Sequence, residues 1–183
     1  MSFFQSYSFQ RACADIIRLW ENYLIPACMA GGICFFCYLL YAIIRQKQRW
    51  PSVFAFLLGM YSCYVYAATF FTREIGSKNI VNLVLFSTVD NRHAWFAYEN
   101  MFMLFPLGIL LPVVWHRARK WNIGLLIGFL IALFIETLQH LTRTGHFELD
   151  DILFNGLGEA AGWLFYKLIA YLIHKHAPHK HEK

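Results

Sequence analysis

Apolar residues in this chain come in long unbroken runs separated by short charged clusters, with little alternation. Leu24 to Ile44, Val53 to Phe71, about Tyr98 to Trp115, Trp121 to Leu141 and Ile152 to Ile173 are such runs. Each is close to the roughly 20 residues that an α-helix needs to cross the hydrocarbon of a bilayer. The pattern predicts an all-α, polytopic transmembrane helical bundle of about five spans. Met1 to Tyr23 sets Phe3, Phe4, Ile16, Ile17 and Trp20 among Arg11, Asp15, Arg18 and Glu21. That mixture reads as an interfacial amphipathic helix leading into the first span, and it lacks the layout of a secretory signal. Before the third span, the run NLVLFSTV from Asn82 to Val89 is too short to cross. It predicts an interfacial or re-entrant segment, or a loop folded over a site. Pro106 sits inside the third span, where it removes the backbone bond to residue 102 and predicts a kink. The freed carbonyl needs a neighbour in lipid, which places this span centrally.

Composition strengthens the membrane reading. Hydrophobic residues make up 58% of the 183, aromatic residues 19% and charged residues 15%, where a soluble domain carries about a quarter charged. No internal repeat or Ser/Gly linker divides the chain, so residues 1–183 read as one domain ending in a basic, His-rich tail over 174–183. Arg45, Lys47 and Arg49, then Arg117, Arg119 and Lys120, then Lys175, Lys180 and Lys183 flank alternate sides of five spans, which brings the three clusters together. The positive-inside rule makes that side cytoplasmic in a plasma membrane, with the N-terminus outside and the C-terminus inside. Because topology explains these cations, the net charge of +5 is no argument for a nucleic-acid partner. Cys34 and Cys37 form a C-x-x-C inside an apolar span without a second pair, and read as small packing residues.

The candidate chemistry gathers at the other side, around residues 131–163. Glu136, Gln139, His140 and Arg143 share one face of the fourth span at i, i+3, i+4 and i+7. Asp151, Asn155, Gly158, Glu159 and Gly162 make a stripe on the fifth. Each intramembrane acid costs roughly 2.5 to 3.5 kcal/mol on insertion scales, so a chain that keeps several uses them. With the predicted topology, Arg73, Glu99, Asn100 and the loop acids Glu148, Asp150 and Asp151 join the same side. The result is an acidic and amide-rich cleft open to the outer leaflet. Glu136 reads as functional, with Arg73 or Arg143 as its expected partner. Gln139 reads as interhelical polar glue, and Asp150 as a helix N-cap. Asp151 with Asn155 suits either capping or an oxygen-liganded divalent cation, the one cofactor this donor set would take. His140 and His146 read as interfacial histidines, not metal ligands. Gly158 and Gly162 read as a close-packing stripe.

These residues resemble the VanZ-like family of small bacterial membrane proteins. The resemblance rests on Asn82-Leu83-x-x-Phe86, Asn100 with Phe105-Pro106-x-Gly108, Glu136-x-x-Gln139, and Glu148-x-x-Asp151-x-x-x-Asn155-x-x-Gly158-x-x-x-Gly162. It covers roughly Asn82 to Tyr166. Leu85 stands in place of a usual proline, Glu148 in place of an Asp, and Gly156 and Glu159 in place of a Thr and a Gly. What the resemblance implies is a cell-envelope protein and, for some members, resistance to the glycopeptide teicoplanin. Two functions follow as expectations. The first is a non-catalytic protein that binds a lipid-linked cell-wall precursor or a lipid-anchored antibiotic in the outer cleft. The second is a membrane-embedded hydrolase or transferase acting on a lipid headgroup. There Glu136 or Asp151 would be base or metal ligand and Arg73 or Arg143 would hold an anion. The sequence contains no serine elbow, zinc motif or phosphate loop for the second.

Overall fold

A computed structural model describes residues 7–71, Gly76, 80–87 and 94–176. Among the described residues there are five α-helices: α1 (Tyr7–Ile44), α2 (Pro51–Tyr66), α3 (Ala94–Val114), α4 (Trp121–Thr142) and α5 (Leu149–His176). α2 runs on into a π-helical turn, Ala67–Phe71, and a 3₁₀ turn, His116–Arg119, joins α3 to α4. Two very short strands, β1 (Val81–Asn82) and β2 (Phe147–Glu148), pair in parallel. The all-α transmembrane architecture expected from the apolar runs is the one observed.

Four stretches, Glu21–Ile44, Pro51–Phe71, Ala97–Val114 and Trp121–Thr142, are long and apolar enough to cross a membrane. α5 has the length, 28 residues, or about 42 Å at 1.5 Å per residue. It is less apolar because it carries Asp150, Asp151, Glu159, Lys167 and Lys175. Its packing shows how deep it runs. Gly158 lies on the Met101 carbonyl and Gly162 on that of Phe105, so α5 runs parallel to α3. Glu159 meets Gly128 and Trp163 meets Gly124, so it runs antiparallel to α4. The Trp163 indole then donates to the Ala118 carbonyl in the α3–α4 turn, 3.0 Å away. α5 therefore starts at the end of the bundle that holds the α4–α5 connection and passes the turn at the opposite end.

α3 packs against α2, α4 and α5, while α1 rests on α2. The central place expected for the proline-bearing span is thus observed, and the Tyr61 hydroxyl of α2 donates to the Met103 carbonyl in the turn before Pro106. Leu104, Leu107, Ala132, Ile135 and Ile152 form a small apolar core. Outside it, burial is inverted relative to a soluble protein. Ile25, Ile44, Phe102 and Leu141 are each at least 70% exposed, whereas Glu136, Asp150, Asn155 and Glu159 are at most 1% exposed. Exposed apolar area on this scale fits lipid as the solvent.

The N-terminal residues are helical and lead into the first span, as the sequence predicts. From Tyr7 they continue straight into the first span as one 38-residue helix, because nothing between Tyr7 and Leu24 breaks it and Pro26 is tolerated within it. Before α3, Asn82 ends the β1 strand and a turn follows at residues 85–87, so the described part of this run is a loop, one of the forms expected for it.

Candidate functional site

Helix ends, not helix middles, make the polar end of the bundle. α4 stops because Arg143 takes the left-handed conformation (φ 57°), and the Thr144 and Gly145 N–H groups fold back onto the Gln139 carbonyl. This closing turn satisfies carbonyls that the helix leaves unpaired. The chain then runs through β2, where the Phe147 N–H donates to the Ile80 carbonyl at 3.0 Å and Val81–Asn82 pair with Phe147–Glu148. Gly76 donates its N–H to the Arg143 carbonyl. The segment between α2 and α3 is thereby pinned across the α4–α5 connection.

Two predicted site residues, Asn82 and Glu136, and the expected N-cap Asp150 build this pinning. The Asn82 side chain accepts the Val84 N–H and donates to Ser87 Oγ at 2.8 Å, shaping its own loop. Glu136, nearly two turns below the end of α4, accepts the Glu148 N–H at 3.4 Å. Asp150 accepts the Phe86 N–H at 2.5 Å, and Phe86 has a positive φ of 62° that turns its N–H inward. The expectation that Asp150 is a helix N-cap is corrected here. α5 begins at Leu149, so Asp150 lies inside the first turn, and its carboxylate reaches a loop 64 residues earlier in the chain. Its place in that turn still favours a negative charge.

Gln139 is buried on α4 and Asn100 on α3, one residue before the Met101 that Gly158 touches. Asp151 is half-buried in the first turn of α5. Glu99 and Arg143 are exposed and form the rim. Arg73 lies outside the described residues. Asn82, Glu136, Glu148 and Asp150 are therefore tied into one group with the loop, and Asn100, Gln139, Asp151 and Asn155 lie on the helices around it. Among the described residues, no three of His, Cys, Asp and Glu converge to hold a metal ion.

One turn below Asp151 the character changes. Asn155 is fully buried, and neither its Oδ1 nor its Nδ2 has a hydrogen-bond partner among the described residues. Glu159, one further turn down the same face, is 1% exposed with both carboxylate oxygens equally without partners, its side chain lying against Gly128 of α4. The Nδ1 atoms of His140 and His146 share that condition. Buried polar groups are normally paired, and leaving one unpaired costs about 1–3 kcal/mol. Asn155 belongs to the predicted site; Glu159 lies on the same predicted stripe but has no predicted role. Its signal in the sequence is its i+4 spacing from Asn155.

The class of protein is therefore a polytopic helical membrane protein with buried carboxylates and amides under a pinned loop at one end. A family model described as VanZ/LLP1 matches residues 53–170, well over half of the chain, and the protein belongs to that family. The match begins upstream of the stretch on which the sequence resemblance rests and takes in α2. No curated protein and no solved structure matches the chain.

Proposed function

We propose that this VanZ-like protein lies in the bacterial plasma membrane with its polar end at the outer leaflet. There it binds, without chemistry of its own, the hydrogen-bonding head of a lipid-linked cell-wall precursor or of a lipid-anchored glycopeptide such as teicoplanin. The observation that carries the reading is Asn155. A side chain with a donor and an acceptor, both fully buried and unused among the described residues, follows on the same helix as Asp150, whose carboxylate holds the loop at Phe86. An amide so placed reads a ligand that offers a matching donor and acceptor, as peptide and sugar amides do. The family membership and the clustering of cations at the opposite end support the placement. Glu136 and Asp150, engaged with backbone N–H groups, position the loop.

The test is expression in a glycopeptide-susceptible Gram-positive host, with teicoplanin and vancomycin susceptibility read side by side for the native chain and Asn155→Leu. The reading expects reduced teicoplanin susceptibility, little change for vancomycin, and loss of the effect in Asn155→Leu at equal protein level. An unchanged teicoplanin response, or one that survives Asn155→Leu, would contradict it.

A further inference from the structure

At the basic end of the bundle the chain turns twice, and the two turns face each other. Gln46, with a φ of 51°, ends α1, and the chain reverses through Lys47 to Trp50 into α2. α3 ends at Val114 and reverses through Trp115 and the 3₁₀ turn into α4. Since α1 and α3 each pack on α2, their ends stand on either side of its start with a cleft between them. The cleft has a volume of about 770 Å³, within the range of sites that hold small ligands. Lys47, Arg117 and Arg119 line it and, among the described residues, no carboxylate does; Trp50 and Trp115 are its aromatic walls, and Tyr41 closes the α1 side.

The cations are not all loose. Arg119 is held by its Nε–H, which donates to the Pro112 carbonyl at 3.0 Å, while its Nη groups make no hydrogen bond among the described residues. The Trp50 indole is likewise fixed, by the Gln48 side chain at 2.7 Å. A planar guanidinium held at one edge presents its other edge to an anion, and phosphate oxygens match that fork. Toward the bundle the wall turns apolar at Val113 and Val114, and the neighbouring α1 surface at Leu40 and Ile44 is exposed and aliphatic. Indole rings of this kind sit at headgroup depth. Fixed cations, headgroup-level aromatics and an apolar lower wall occur together.

We propose that this cleft binds the phosphate-bearing headgroup of an anionic phospholipid, whose acyl chains lie along the apolar faces of α1 and α3. A free phosphate shares the headgroup's chemistry but has nothing to place on Val113, Val114, Leu40 or Ile44. The site is separate from the polar end and does not depend on what that end binds.

The test uses the full-length chain purified in a mild detergent, titrated with phosphatidylglycerol, phosphatidylcholine and inorganic phosphate. Tryptophan fluorescence and lipid retained in native mass spectra are the readouts. Phosphatidylglycerol should bind in preference to phosphatidylcholine, and Lys47→Gln and Arg117→Gln should each weaken it about fivefold. Both residues are exposed, so the variants should keep the native helicity by circular dichroism. Arg49→Gln, which removes an exposed cation outside the cleft, should leave binding unchanged. Equal binding of the two lipids, an equal loss in Arg49→Gln, or a full response to inorganic phosphate alone would overturn the proposal.

Discussion

Asn155 and Glu159 are the residues whose presence packing alone does not explain. Both are buried on the inward side of α5 and neither has a protein partner among the described residues, so each weakens the fold it sits in. Replacing an unpaired buried polar group by an apolar one of similar shape is expected to be neutral or stabilising. Asn155→Leu and Glu159→Met should therefore raise the thermal unfolding temperature, each by the equivalent of about 1 kcal/mol. A fall in unfolding temperature for either variant, measured in detergent without ligand, would mean that its polar group is held by the fold. The neighbouring glycines predict the opposite. At Gly158 and Gly162 an added Cβ would overlap backbone carbonyls of Met101 and Phe105, which cannot swing aside as a side chain does. Gly158→Ala and Gly162→Ala should each destabilise by about 1–3 kcal/mol. Here the sequence was readable for the glycines, whose spacing signals close packing. For Glu159 it was not, since a buried carboxylate's lack of partners is a property of the assembled helices.

Among the elements, the loop over 80–87 is the one whose structure depends on side chains far away in the chain. Ile80, Val81, Leu83, Val84, Leu85 and Phe86 are all exposed, so apolar burial does not hold the loop in place. The parallel pairing with Phe147–Glu148 and the Asp150 carboxylate on the Phe86 N–H do. Asp150→Ala should speed amide hydrogen exchange across residues 83–87 while leaving α3 and α5 protected; unchanged exchange would show the strand pair to be sufficient. Glu136 acts on the same connection from below. Glu136→Gln keeps an oxygen acceptor for the Glu148 N–H, whereas Glu136→Ala removes it. The Ala variant should be less stable than the Gln variant by about 1–3 kcal/mol in thermal unfolding. Helix positions were legible to within a few residues, because twenty-residue apolar runs have few alternatives in a bilayer. The two-residue strands were not, having no periodicity to read. Asp150 reads as a cap from sequence, where proximity cannot reveal a partner 64 residues away.

For the whole molecule, the decisive feature is that polar and apolar residues have changed places. Aliphatic and aromatic side chains cover the outside, while acids and amides collect inside one end and cations at the other. Hydropathy and charge order made most of this readable. α5 was less plain, since its acids lower its hydropathy and it is not among the four helices apolar enough to cross a membrane, yet it packs along both α3 and α4. The two ends imply opposite exposures for Arg143 and Arg117, both of which are solvent- or headgroup-accessible in the fold. The most direct measurement is labelling of single cysteines at these positions, in a cysteine-free version of the chain, with a membrane-impermeant maleimide applied to intact cells. Residue 143 should react at once and residue 117 only after the cells are opened. Labelling of residue 117 with residue 143 protected would turn the bundle over and place the buried carboxylates on the wrong side for any extracellular ligand.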